Sequence, residues 1–257
     1  MTSSSKDLRP QSRWAQAWQP GIAAIKAYWI PFVSIQVLAV VLVLAYFNVE
    51  GVRRAADILG EWKIAGGLLF AFCAGATAGG LIAEVAKAVT GKIHKFDPRW
   101  LKMALFTALT YGVVGVLVDL FFMLQSKMFG NGTDFQTLTL KTSVDMLVFS
   151  TVLSIPFATI MMTYAKHGFS AKELAAELKS GFYRRRVIPG LLPCWAFWTP
   201  VLICTYSLPL VLQLPFSQLA EAAWSVLFVA IATSPDEDEV VPADLADVAE
   251  AVGGDVY

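Results

Sequence analysis

Asp119, Asp145 and Glu221 are carboxylates set within runs of apolar residues, and any chemistry in this chain would begin with them. An ionised side chain near the centre of a bilayer costs about 3 kcal/mol on insertion scales. Such a group must face protein or water, and it often marks an ion path or a proton relay. Three acids on three different apolar runs predict a polar vestibule that draws in cations or solute. A plainer reading stands beside it: Asp145 pairs with Lys141, four residues earlier, and Glu221 reaches toward the lipid headgroups. Asp119 has no such local partner in the sequence.

Other chemistry is sparse. The two histidines, His94 and His167, fall in connections between apolar runs. Cys73, Cys194 and Cys204 lie inside apolar runs without CxxC spacing, so they read as small buried hydrophobes rather than metal ligands. No GxSxG, HExxH or Walker-type loop occurs. The expectation is a protein that is not an enzyme and holds no cofactor or metal. A net charge of +0 gives no reason to expect nucleic acid as a partner.

The elements that carry the acids are membrane spans. Hydrophobic residues make up 56% of the chain and charged ones 16%, against about 25% charged in a soluble domain. Stretches of about 20 residues with at most one charge are long enough to cross a bilayer. The sequence predicts an all-α integral membrane protein, a bundle of about six transmembrane helices. Spans are expected near 28–47, 64–89, 101–124 and 143–165, followed by a proline-broken C-terminal hairpin. That hairpin, 187–232, contains Pro189, Pro193, Pro200, Pro209 and Pro215 together with Trp195, Trp198 and Trp224. Five prolines would ruin a soluble helix, whereas a packed membrane hairpin can re-satisfy the freed carbonyls from neighbouring helices.

In the second span Gly67, Ala71, Gly75, Gly79 and Ala83 recur every four residues along one ridge, the pattern of close helix–helix packing in lipid; a glycine-lined pore wall is the competing reading. Between the fourth and fifth spans, Ser170 and Glu173 form a capping box, with Phe169 and Leu174 at staple positions. A short amphipathic helix at the interface is expected there. Residues 1–27 form a basic arm, 28–63 an N-terminal span and polar loop, 64–232 the main bundle and 233–257 an acidic tail expected to lack a core. Most of the 20 Lys and Arg fall on one side of this topology, which puts both termini on the cytoplasmic or matrix side.

The order of Asp97 and Arg99, a glycine-interrupted span, Lys141 with Asp145, Trp198 with Pro200, Tyr206, Pro209 and Trp224 resembles the Mpv-seventeen / peroxisomal membrane protein (PMP-twenty-two) family over 67–233. Thr199 separates Trp198 from Pro200, where the family pattern has Trp and Pro adjacent. The resemblance implies a small multi-span bundle of a bacterial, mitochondrial inner or peroxisomal membrane, with channel behaviour and no cofactor. It also directs attention to Trp198 and Pro200 as pore residues, in line with the use of broken helices at solute sites. The function expected is a passive pore for small solutes or ions, the alternative being a non-transporting membrane scaffold. The bilayer is the expected partner, with self-association left open and the solute unspecified.

Overall fold

The computed structural model describes residues 13–89 and 97–231, and these residues form helices and short connections with no strand. The acidic tail, the start of the basic arm and the connection around His94 and Lys95 lie outside the described residues. α1 spans Arg13–Asn48, α2 Glu50–Gly75 and α3 Ile82–Val89. α4 spans Pro98–Phe129, α5 Phe135–Val144 and α6 Ile155–Lys166. α7 is the short helix Ala171–Lys179, and α8 (Ile188–Ser207) and α9 (Leu210–Ile231) form the terminal hairpin. Three wide-turned π-helical segments are spliced in: Ala76–Leu81 joins α2 to α3, Asp145–Ser154 joins α5 to α6, and Tyr183–Val187 leads into α8.

Among the described residues, five runs are long and apolar enough to cross a membrane: Ala17–Asn48, Glu50–Val89, Pro98–Phe129, Phe135–Lys166 and Tyr183–Ser207. The chain is an all-α, multi-pass membrane bundle. α9 is a further long helix, and it carries Gln213, Gln218 and Glu221 among its apolar residues. It sits largely inside the others, with Leu212, Leu214, Phe216 and Ala220 buried.

Helix starts follow local chemistry. Asp97 caps α4 by accepting from the Trp100 amide at 2.8 Å, with Pro98 in the first turn, where its missing donor costs nothing. Asp134 caps α5 through the Thr137 amide at 3.0 Å. Ser170 caps α7 as expected, but Glu173 does not close the box; its carboxylate goes to His167 at 3.2 Å. Phe169, at the expected staple position, also reaches beyond α7. Its positive φ of 66° turns the ring onto α4, against Phe106 at 5.0 Å and beneath Lys102 Nζ at 3.8 Å.

Several expectations are corrected. α1 begins at Arg13 and kinks at Tyr28 (φ −118°, ψ 22°), where the first span was expected to start; what changes is the stretch before the kink, which is helical and packs on the bundle instead of standing free as an arm. Trp18 meets Trp195 at 6.1 Å, and a Cβ on Gly21 would lie 2.7 Å from the Pro189 carbonyl. The polar connection after the first span is itself helical, and only Val49 separates α1 from α2. Arg53 spans that break, donating to the Tyr46 and Phe47 carbonyls at 3.3 and 2.9 Å and so satisfying the end of α1. The Glu50–Val89 run is 40 residues long, about 60 Å if straight, roughly twice the hydrocarbon thickness. It bends at Gly67, whose φ of 52° and ψ of −129° suit glycine alone.

Gly67 is therefore a hinge in the backbone and not part of the packing ridge: a Cβ there would meet nothing within 4 Å. Ala71, Gly75 and Gly79 do face α4. A Cβ on Gly75 would lie 2.9 Å from the Gly115 Cα, and one on Gly115 would lie 2.5 Å from the Ala71 carbonyl. The π-helical turn at Ala76–Leu81 adds Gly80 to the contact, with Ala108 Cα 2.6 Å from its would-be Cβ. Glu84 and Lys87, read from spacing as a surface pair, are buried; they lie 2.5 Å apart, with Trp100 Nε1 donating to Glu84 at 3.0 Å.

α1 is built onto the proline-broken hairpin. Pro200 has no amide hydrogen for the Ala196 carbonyl, and Gln36 Nε2 of α1 supplies the missing donor at 2.7 Å, reaching the Phe197 carbonyl at 3.2 Å as well. Phe32 packs beside this bond against Phe197 and Trp224, with ring centroids 5.9 and 5.6 Å away.

Candidate functional site: an intramembrane cavity

Alternating helix directions put the turns at Val49, Gly130 and Leu208 at one end of the bundle. α7 and the starts of α4 and α8 lie at the other. Between α4, the α5–α6 run, α8 and α9 lies a cavity of about 190 Å³, room for on the order of ten waters. It reaches Lys166 and Arg186 at the end bearing α7, and Asp145, Met146 and Leu202 toward the opposite end. Its wall is mostly apolar, with a line of hydroxyls on α6 and its π-helical lead (Ser150, Ser154, Thr159, Thr163) and another polar line on α9.

The sequence elements that aim these groups are identifiable. On α9, Ser217, Glu221 and Ser225 recur every four residues, which places them on one face of a helix. On the opposite wall the wide turn of Asp145–Ser154 changes the repeat to five, so Ser150 comes back over Asp145. Ser150 Oγ lies 3.4 Å from Asp145 Oδ1, and Thr151 Oγ1 donates to the Met146 carbonyl at 2.7 Å. Such π-helical insertions often occur at functional sites, where they re-aim side chains.

Beyond Asp145 the cavity is stoppered. The Tyr206 hydroxyl donates to Asp145 Oδ2 at 2.5 Å, and Gln125 Nε2 donates to the same hydroxyl oxygen. Tyr206, Gln125 and Asp145 are all buried. Lys141 completes the plug without pairing with Asp145: its Nζ lies 5.4 Å from the centroid of the Tyr206 ring and makes no hydrogen bond. The local Lys141–Asp145 ion pair read from spacing is replaced by a Tyr206–Asp145 hydrogen bond, with the Lys141 ammonium facing the Tyr206 ring instead of the carboxylate.

The other end is held by α7. Glu177 accepts from Arg186 Nε at 2.8 Å and pairs with His167 Nε2 at 2.5 Å. Burial works to raise the Glu177 carboxyl, but the hydrogen bonds and charges of His167 and Arg186 outweigh it and hold it below the ordinary glutamate range. This ties the short interfacial helix to a residue that lines the cavity.

No family model, curated protein or solved structure matches the chain. The arrangement of the side chains is therefore what bears on function.

Among the residues singled out from the sequence, Asp145, Glu221 and Trp198 line the same cavity. Asp119 lies elsewhere: buried on α4, its Oδ1 is 3.1 Å from Nζ of the half-buried Lys63 of α2, an ion pair that joins the two helices. A lysine 56 positions away, on a helix read as a loop, could not be matched to it from spacing. Pro200 faces α1 through the Gln36 bond and is not among the lining residues. The hydroxyl rows and Gln218 went unnoticed in the sequence, although the four-residue recurrence of Ser217, Glu221 and Ser225 was there to be read. Among the described residues no group of three or more His, Cys, Asp and Glu gathers as a metal site.

Proposed function

We propose that this membrane protein is a passive pore for small solutes, with the cavity between α4, α6, α8 and α9 as its path. The observation that carries the reading is the pair of carboxylates, Asp145 and Glu221, on the wall of a cavity whose hydroxyl rows run along its length. Polar groups in a dry helix interface would be costly; lining a hydrated path, they are solvated. The conformation in hand is a closed one, with Tyr206, Asp145 and Gln125 filling the space beyond Met146. The resemblance to the Mpv-seventeen family points the same way. The small-residue ridge supports a pore over a scaffold, because Ala71 and Gly75 are spent on α4 within the chain and are not left for a partner.

The test is solute efflux from proteoliposomes containing the purified chain. Tyr206→Phe removes the hydroxyl that joins Gln125 to Asp145 while keeping the ring. It should raise efflux of small solutes several-fold over wild type. Efflux from neither protein, with both folded and inserted, would refute the pore.

A further inference from the structure

Glu221 stands apart from the other acids enclosed within this bundle. Asp119 has Lys63, Asp145 has Tyr206, Glu84 has Lys87 and Trp100, and Glu177 has His167 and Arg186. Glu221 has neither a hydrogen bond nor an ion pair among the described residues. It lies halfway along α9, enclosed by α4, α8 and its own helix, yet keeps accessible surface that faces the cavity. A carboxylate so placed is stabilised only by what fills the cavity.

The surroundings define what could fill it. Tyr111, Trp198 and Trp224 line the same space and offer aromatic surface, the partner of a weakly hydrated cation. Gln218, three residues before Glu221, has a carbonyl oxygen with no donor. Rotating that amide toward the cavity would break no bond made by this oxygen. Ser217 and Ser225 sit one turn to either side of Glu221. Ser217 already donates to the Leu214 carbonyl at 2.9 Å, which leaves its lone pairs to face a ligand. This is an oxygen-and-aromatic lining with one unpaired negative charge. A divalent ion would call for more carboxylates and full oxygen coordination, and an anion would meet Glu221 unfavourably. The cationic groups, Lys166 and Arg186, lie at the far end, where Arg186 is engaged by Glu177.

We infer that Glu221 is the binding carboxylate for a small monovalent cation, a metal ion or a protonated amine, with Trp198, Trp224, Ser217, Gln218 and Ser225 completing its site. This rests on reading the cavity as a solute path and names the class of solute it takes.

Two measurements on the full-length chain test it. Thermal unfolding in detergent is followed in potassium chloride, methylammonium chloride and N-methylglucamine chloride at equal ionic strength. Potassium or methylammonium should raise the melting temperature by a few degrees over the bulky cation, and the rise should vanish in Glu221→Gln. The cation that gives it assigns the site to a metal ion or an amine. The second measurement needs no variant: a hydrophobic carbodiimide should label Glu221, read by mass spectrometry, and the stabilising cation should slow that labelling several-fold. Equal melting temperatures in all three salts, or labelling indifferent to cation, overturn the inference. In the efflux assay, conduction with no preference for cations over chloride would also overturn it while leaving the pore intact. Cation-dependent stability and protection without any efflux would remove the pore and keep the site.

Discussion

Replacing Gln36 with leucine should destabilise the bundle, and the size of the loss should depend on a proline 164 positions away. Gln36 Nε2 donates to the Ala196 carbonyl at 2.7 Å because Pro200 has no amide hydrogen to give it. Leucine fills similar volume, so the loss is polar rather than steric. An unsatisfied buried carbonyl costs about 1–3 kcal/mol, while interhelical hydrogen bonds in membranes average about 0.6 kcal/mol and reach about 1.7. The bond is part-buried and Pro200 denies the Ala196 carbonyl a donor from its own helix, so the cost should lie near the upper end of the membrane range, about 1.5 kcal/mol. In a chain of this size that lowers the melting temperature by about 3–6 °C. Pro200→Ala restores the backbone donor, and in that background Gln36→Leu should cost no more than about 0.5 kcal/mol. The assay is reversible unfolding in mixed micelles of the two single variants and the double variant, read as a double-mutant cycle. A coupling of about 1 kcal/mol is expected. If Gln36→Leu costs the same with and without Pro200, the repair of the broken helix by α1 would be falsified.

Two other perturbations bear on the ion pairs. Asp119→Asn should cost about 3 kcal/mol, the lower end for a buried pair because Lys63 keeps some exposure, and adding Lys63→Met should recover most of that loss. Unfolding of the single and double variants decides it, and equal losses would mean that Asp119 acts through something other than Lys63. For Glu177, a carboxyl held below its ordinary value contributes stability that is present above about pH 4.5 and is lost as the pH falls through the lower folded-state value. Tryptic cleavage at Lys172 and Lys179 should thus accelerate below that pH in wild type, whereas in Glu177→Gln it should be fast throughout. A wild-type cleavage rate flat from pH 7 to pH 3.5, after correction for trypsin's own activity, would count against the tether.

The fold was readable because lipid imposes a coarse rule: backbone groups must be satisfied within helices, so apolar length alone locates the spans. Five long runs, the terminal proline-rich hairpin and the short capped helix at 171–179 follow from that. What escaped is register. The turn at Asp145–Ser154 trades a four-residue for a five-residue repeat, and nothing in DMLVFSTVLS announces it. Nor could spacing show that Tyr206, 61 residues further on, would take the Asp145 carboxylate in place of Lys141, which stands one regular helical turn before it. Gly67 fits the ridge by spacing but serves as a hinge, because spacing cannot report a positive φ. The cavity itself was half legible: Asp145, Glu221 and Trp198 could be named, but Asp119 could not be told from them, since its partner lies on a helix that charge had disguised as a loop.

The bond between Gln36 and the Ala196 carbonyl bears on how the molecule is made. The two ends of that bond are 160 residues apart in the chain. Helix α1 leaves the ribosome long before α8 exists, so for most of synthesis Gln36 sits in the bilayer with no backbone acceptor across from it. When α8 arrives it carries an open carbonyl that its own helix cannot close. The last hairpin is thus recruited by the first helix, and docking α1 on α8 is the step that closes the bundle on itself. Truncation of α1 would leave α8 with a broken seam, so the first helix belongs to the smallest unit able to fold.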